Sequence, residues 1–69
     1  MPYISVEGGL LSDEQKEQLV KRLTEVSSEI MNVPKEFFIV TLKELPDKNI
    51  GIGGRTIDKI KNEYSKNKN

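Results

Sequence analysis

The sequence predicts a small domain of the α/β (α+β) class: a single β-α-β unit with parallel strands, followed by a short C-terminal hairpin and helix. Two segments with alternating apolar residues flank one long segment with apolar residues at helical spacing. This order of strand, helix and strand predicts the β-α-β unit. The 69 residues form one domain, 1–69, and contain neither cysteine nor histidine. A domain this small is marginal alone and lacks disulfide or metal staples, so we expect it to assemble as a homo-oligomer.

The first predicted strand covers residues 2–7. Ile4 and Val6 alternate with Tyr3 and two polar residues, which gives one apolar and one mixed face. The pair Gly8-Gly9 ends the strand.

The first predicted helix begins at a capping box, Ser12-Asp13-Glu14-Gln15, and runs to about Met31. Asn32 is a plausible C-terminal stop, and Pro34 ends the element. Its apolar residues fall close to one stripe at helical spacing: Leu19, Val20, Leu23, Val26, Ile30 and Met31.

The second predicted strand covers residues 37–44 and lies parallel to the first, because a helical crossover joins them. Phe38, Val40 and Leu42 share one face, and Ile39 lies on the other. One helix covers one face of a two-stranded sheet. The other face carries Tyr3 and Ile39, and we expect further copies of the chain to cover it.

The C-terminal third predicts three short elements. Residues 46–49 form a turn, and residues 50–54 form a small hairpin or an extended segment in close contact with another backbone. Residues 56 to about 65 suit a helix, and residues 66–69 form a polar, frayed tail.

Composition excludes several classes of function. Eleven basic residues balance eleven acidic ones, whereas a nucleic-acid binder normally shows a basic excess. No apolar run reaches the length of a membrane span and no leader sequence is recognisable, so we expect a cytoplasmic protein with no nucleic-acid or membrane partner.

The most informative residue is Pro2, directly behind Met1. Met before a small residue is usually removed during synthesis, which would leave Pro2 with a free secondary amine. An N-terminal amine titrates near neutrality, and burial lowers its pKa further, so it could act as a general base. The alternative is that Met-Pro is a common start and that Pro2 only rigidifies the entry to the strand.

Several features together resemble the 4-oxalocrotonate tautomerase family over residues 2 to about 60. They are Met-Pro, the helix start Ser12–Lys16, Pro34 before the second strand, and Gly-Ile-Gly-Gly at 51–54. The resemblance implies a tautomerase fold that assembles as a homohexamer, a trimer of dimers. It also implies that the proline amine moves a proton within an enol or dienol acid, with no metal or organic cofactor.

The chain departs from the family pattern at three positions. Leu11 stands where members active on dicarboxylates carry an arginine, Ile39 stands at a second arginine, and Ile50 replaces an aromatic residue. The resemblance therefore implies Pro2 as the base in an apolar pocket, shaped by these residues of more than one subunit. Arg55 is the best alternative cation for a substrate carboxylate, although it is equally well read as a solvated charge at the start of the last helix.

Two hypotheses for function remain open. The first is a tautomerase that converts an enol or dienol acid to its keto form, and an apolar pocket favours a monoanionic, neutral or more apolar substrate. The second is a homo-oligomeric binding or scaffold protein that has kept the fold and lost efficient catalysis, because both arginine positions are changed.

Overall fold

The chain forms a β-α-β unit followed by a hairpin and a second helix, as the sequence predicts. The computed structural model describes residues 1–67, with side chains for residues 1–65. Short 3₁₀ turns cover Lys35–Phe37 and Asp47–Asn49. The helices and strands, in chain order, are β1 (Tyr3–Gly8), α1 (Asp13–Met31), β2 (Ile39–Glu44), β3 (Gly51–Ile52), β4 (Arg55–Thr56) and α2 (Ile57–Asn67).

Strands β1 and β2 pair in parallel along their full length, with Tyr3 opposite Ile39 and Gly8 opposite Glu44. Residues with even numbers on both strands are half-buried beneath α1, apart from Gly8, and the alternate residues are exposed. On the exposed face the Tyr3 hydroxyl lies 3.1 Å from the Thr41 hydroxyl. The two-faced sheet that the alternation predicts is therefore confirmed.

Helix α1 has the ends that its sequence predicts. The Ser12 hydroxyl accepts a hydrogen bond from the Gln15 N–H at 3.1 Å, and the Gln15 side chain accepts one from the Ser12 N–H at 2.9 Å. This is a complete capping box, which satisfies donors that the first helical turn leaves unpaired. Asn32 ends the helix in the left-handed conformation, with φ 57°.

The predicted start of the second strand is wrong by two residues. Phe37 belongs to a 3₁₀ turn, in which its N–H donates to the carbonyl of Pro34 at 3.1 Å. The next bond of this turn joins the N–H of Phe38 to the carbonyl of Lys35, also at 3.1 Å. The turn therefore delays β2 to Ile39, although two adjacent phenylalanines favour a strand on propensity.

The glycine-rich segment forms the predicted hairpin, with β3 and β4 antiparallel. Gly53 and Gly54 make its turn with φ values of 60° and 84°, which L-residues adopt only at a cost. Arg55 lies in β4 and not at the start of the last helix, because α2 begins at Ile57, one residue later than the predicted start at Thr56. Because α2 continues to Asn67, part of the predicted tail is helical, and residues 68–69 lie outside the described residues.

The single chain is open rather than compact. No side chain among residues 1–65 is fully buried, and Val26 and Ile30 of the predicted helical stripe are 54% and 78% exposed. The radius of gyration is 16.0 Å, against about 11 Å for a compact chain of this length. Helix α2 packs mainly on the turn Asp47–Asn49 and on β4. No helix within residues 1–67 is long and apolar enough to cross a membrane.

Candidate active site

Pro2 lies immediately before β1, at the N-terminal edge of the sheet. Its carbonyl accepts a hydrogen bond from the Ile39 N–H at 3.1 Å, so the backbone of Pro2 is tied to the start of β2. Pro2 itself is half-buried, whereas Met1 is 88% exposed. The bond that must be cut to release the Pro2 amine is therefore next to a fully accessible residue.

Ile39 is the predicted site residue that the structure brings to Pro2. It lies opposite Tyr3 in the register, on the sheet face turned away from α1, and is 43% exposed. Tyr3 beside it is 62% exposed. Pro2 thus borders an apolar, uncovered surface in the single chain.

Leu11 lies at the opposite end of the sheet. Its N–H donates to Oε2 of Glu44 at 2.9 Å, and Glu44 is the last residue of β2, opposite Gly8. Pro2 and Gly8 are separated by six strand steps of about 3.3 Å, or roughly 20 Å. One chain therefore does not bring Leu11 to its own Pro2.

Ile50 and Arg55 follow the C-terminal end of β2, on the hairpin. The carbonyl of Ile50 accepts from the Ile57 N–H at 2.8 Å, which joins the start of the hairpin to α2. The Arg55 guanidinium forms an ion pair with Glu63 of α2, and this contact holds the pKa of the Glu63 carboxyl below its ordinary value. Arg55 is therefore already engaged by an anion within its own chain.

An open groove of about 600 Å³ runs along α1. Leu11 lies at one end of the groove and Val26 at the other, and Pro2 does not line it. The groove marks an apolar helix surface and not a closed substrate cavity around the candidate base.

A charged cluster of Glu44 and Lys16 was not identified from the sequence. Oε1 of Glu44 lies 2.7 Å from the Lys16 ammonium, while Oε2 accepts the Leu11 N–H. Two hydrogen bonds hold the pKa of the Glu44 carboxyl below its ordinary value. The bond from Lys16 contributes most, and the bond from the Leu11 N–H contributes next. The alternation along β2 could have revealed this pair. Glu44 lies on the same inward face as Val40 and Leu42, where a charged side chain needs a partner.

Known proteins resemble this chain in sequence over most of its length. A family model described as tautomerase enzyme matches residues 2–60. A probable tautomerase of Campylobacter jejuni is 39% identical over 56 residues, which cover 81% of this chain and 82% of that protein. The 2-hydroxymuconate tautomerase of Pseudomonas putida is 39% identical over 49 residues, covering 71% and 78% of the two chains.

A solved structure shares the fold as well. A 4-oxalocrotonate tautomerase isozyme from Methylibium petroleiphilum superimposes with a TM-score of 0.79 and 27% identity, covering 86% of this chain and 97% of that one. These matches support isomerase activity of the tautomerase type, and they do not favour a non-catalytic scaffold. The resemblance noted in the sequence is confirmed, and the chain belongs to the tautomerase family.

Proposed function

We propose that this chain is a tautomerase whose general base is the amine of Pro2, released when Met1 is removed. The observation that carries the proposal is the position of Pro2. It is the first residue of the family match, and it lies at the N-terminal end of the sheet, directly after an exposed Met1. Apolar Ile39 adjoins it. Desolvation in such surroundings lowers the pKa of an amine, so a share of the neutral base is present at physiological pH.

The proposed reaction is a proton transfer within a conjugated enol or dienol acid. The neutral Pro2 amine accepts the proton of the substrate hydroxyl, and the electron pair of that O–H bond forms the carbonyl. The π electrons of the enol C=C bond shift along the conjugated system to a carbon atom, where they form a new C–H bond with the proton that the protonated amine returns. This step completes the keto acid. Amine, proton count and charge return to their starting values, so no co-reactant is consumed.

The proposed site is assembled from several copies of the chain. Pro2 and Ile39 lie at the N-terminal end of the sheet. The segments that leave the C-terminal end of its strands carry Leu11, Ile50 and Arg55. The accessible surface of the single chain is 5679 Å², against about 4,400 Å² for a compact folded monomer of 7.9 kDa. This excess supports self-association, and we propose a homohexamer arranged as a trimer of dimers.

The proposed substrate carries at most one carboxylate at the site. Leu11, Ile39 and Ile50 offer no positive charge, and Arg55 already pairs with Glu63. An unpaired carboxylate is costly to desolvate, so an apolar wall selects against a dianion. A monoacid such as 2-hydroxypenta-2,4-dienoate or phenylenolpyruvate fits these surroundings better than 2-hydroxymuconate.

Mass-verified protein with and without Met1 tests the proposal. With Met1 attached, the Pro2 nitrogen is a tertiary amide and carries no basic lone pair, so tautomerisation of the monoacid must be lost. Met1-free protein must be active, and its Pro2→Ala variant must lose activity while keeping the same assembly. Equal turnover by both forms, or an unaffected Pro2→Ala variant, would refute the role of Pro2. Inactivity of the Met1-free protein on all these acids would favour the binding or scaffold alternative.

A further inference from the structure

We propose that Glu44 and Lys16 are positioning residues, which fix the loop between β1 and α1 and thereby the apolar wall that Leu11 presents to a neighbouring Pro2. This inference rests on the proposed function. Neither residue touches substrate in the proposal, because both act through the backbone and side chain of Leu11.

The geometry shows one carboxylate serving two partners. Oε2 of Glu44 accepts the Leu11 N–H at 2.9 Å, and Oε1 lies 2.7 Å from the Lys16 ammonium. The Glu44 and Lys16 side chains are 22% and 35% exposed, whereas both members of the Lys43–Glu7 pair are about two-thirds exposed. Partial shielding from water strengthens the first pair relative to the second.

The loop needs such an anchor at its middle. Its start is fixed by the Leu45 N–H, which donates to the Gly8 carbonyl at 2.9 Å, and its end by the capping box at Ser12. Between these points Leu10 is 67% exposed and packs little. The bond from Leu11 to Glu44 ties the remaining backbone to the end of β2.

Loss of the anchor has a specific consequence for the proposed site. A mobile Leu11 wall admits water to the Pro2 amine and no longer presents a fixed apolar surface to the substrate. Hydration favours the ammonium form, so the pKa of Pro2 moves back towards that of an ordinary N-terminal amine. Substrate binding also weakens, because the loop must be ordered again in each complex.

The test compares Glu44→Ala with Glu44→Gln in Met1-free protein. We expect Glu44→Ala to raise KM for a monoacid about tenfold, to shift the acidic limb of the kcat/KM profile to higher pH, and to speed Leu11 amide exchange about tenfold. Glu44→Gln retains an oxygen that can accept the Leu11 N–H, so it must recover most of the lost KM and exchange protection. Glu29→Ala is the matched control, since Glu29 lies about 20 Å along α1 from Lys16.

The other possible results of this test separate the positioning role of Glu44 from the proposed function of Pro2. Kinetic constants in Glu44→Ala equal to those of Glu29→Ala, with only lower thermal stability, would overturn the positioning role. Pro2→Ala separates the two levels: its unchanged turnover would refute the proposed function, whereas its inactivity beside an unaffected Glu44→Ala would refute this inference alone. If Glu44→Ala does not assemble, Lys16→Met carries the test, with changes in the same direction and smaller.

Discussion

Restoring a cation beside the candidate base is the sharpest perturbation that the structure suggests. Ile39→Arg places a guanidinium on the exposed face of the sheet, at the residue whose N–H bonds to the Pro2 carbonyl at 3.1 Å. Ile39 is 43% exposed in the single chain and lines the pocket proposed for the assembly, so the longer side chain would extend into that pocket. A hydrogen bond between charged groups contributes about 1.5–3 kcal/mol, or roughly 10- to 150-fold in kcat/KM for a dicarboxylate.

The same substitution acts on the base. If the guanidinium is taken to lie about 6 Å from the Pro2 nitrogen, it repels the ammonium form by roughly 0.7–2.8 kcal/mol, for an effective dielectric constant between about 80 and 20. Repulsion of the charged form lowers the pKa of the amine. The acidic limb of the kcat/KM profile must therefore move to lower pH, by about 0.5–2 pH units.

The assay measures kcat/KM for 2-hydroxymuconate and for 2-hydroxypenta-2,4-dienoate across pH, on Met1-free protein of verified assembly. Ile39→Met is the matched control, because it changes the shape of the side chain without adding charge. We predict a selective gain in kcat/KM on the dicarboxylate for Ile39→Arg alone. Equal gains on both substrates, or the same gain with Ile39→Met, would refute a carboxylate contact at this position.

Three further predictions concern the scaffold, each measured at matched protein concentration because self-association contributes to stability. Ser12→Ala removes the helix cap and should cost about 1 kcal/mol, lowering Tm by roughly 4–8 °C; an unchanged Tm would contradict the cap. Gly54→Ala forces φ 84° on a residue with a Cβ and should cost about 1–2 kcal/mol in urea unfolding. Gly8→Ala serves as its comparison, because φ is not positive there and an added Cβ meets no atom within 4 Å. The pKa of Glu44 is lowered on folding, chiefly by Lys16, so its stabilising contribution is present above the ordinary carboxyl pKa and lost as the pH falls through the lower folded value. Urea midpoints between pH 3 and 6 should fall more steeply for the wild type than for Glu44→Gln, and parallel curves would disprove the linkage.

Local sequence signals predicted most of the fold because they act over a few residues. The capping box needs only Ser12 and Gln15, and the hairpin needs two residues that tolerate positive φ, Gly53 and Gly54. The start of β2 failed for a similarly local reason. Pro34 fixes φ at −56° and begins a 3₁₀ turn that captures Phe37, and this backbone preference outweighs the strand propensity of an aromatic residue.

The candidate site was only partly predictable because its contacts join residues distant in the chain. The neighbourhood of Pro2 and Ile39 follows from the parallel register, which the β-α-β pattern implies. By contrast, Glu44 meets Leu11 across 33 residues, and Arg55 meets Glu63 between two different elements. No local periodicity encodes such pairs, and only the inward register of Glu44 hinted at one of them.

Titration of the Pro2 nitrogen itself tests most directly whether its amine is the base. ¹⁵N-labelled proline in Met1-free protein reports the ionisation of that nitrogen by NMR, beside the pH dependence of kcat/KM for a monoacid substrate. We predict a pKa below that of an ordinary N-terminal amine, with the acidic limb of the rate profile at the same pH. An amine with an ordinary pKa, or a rate profile controlled by a different ionisation, would contradict it.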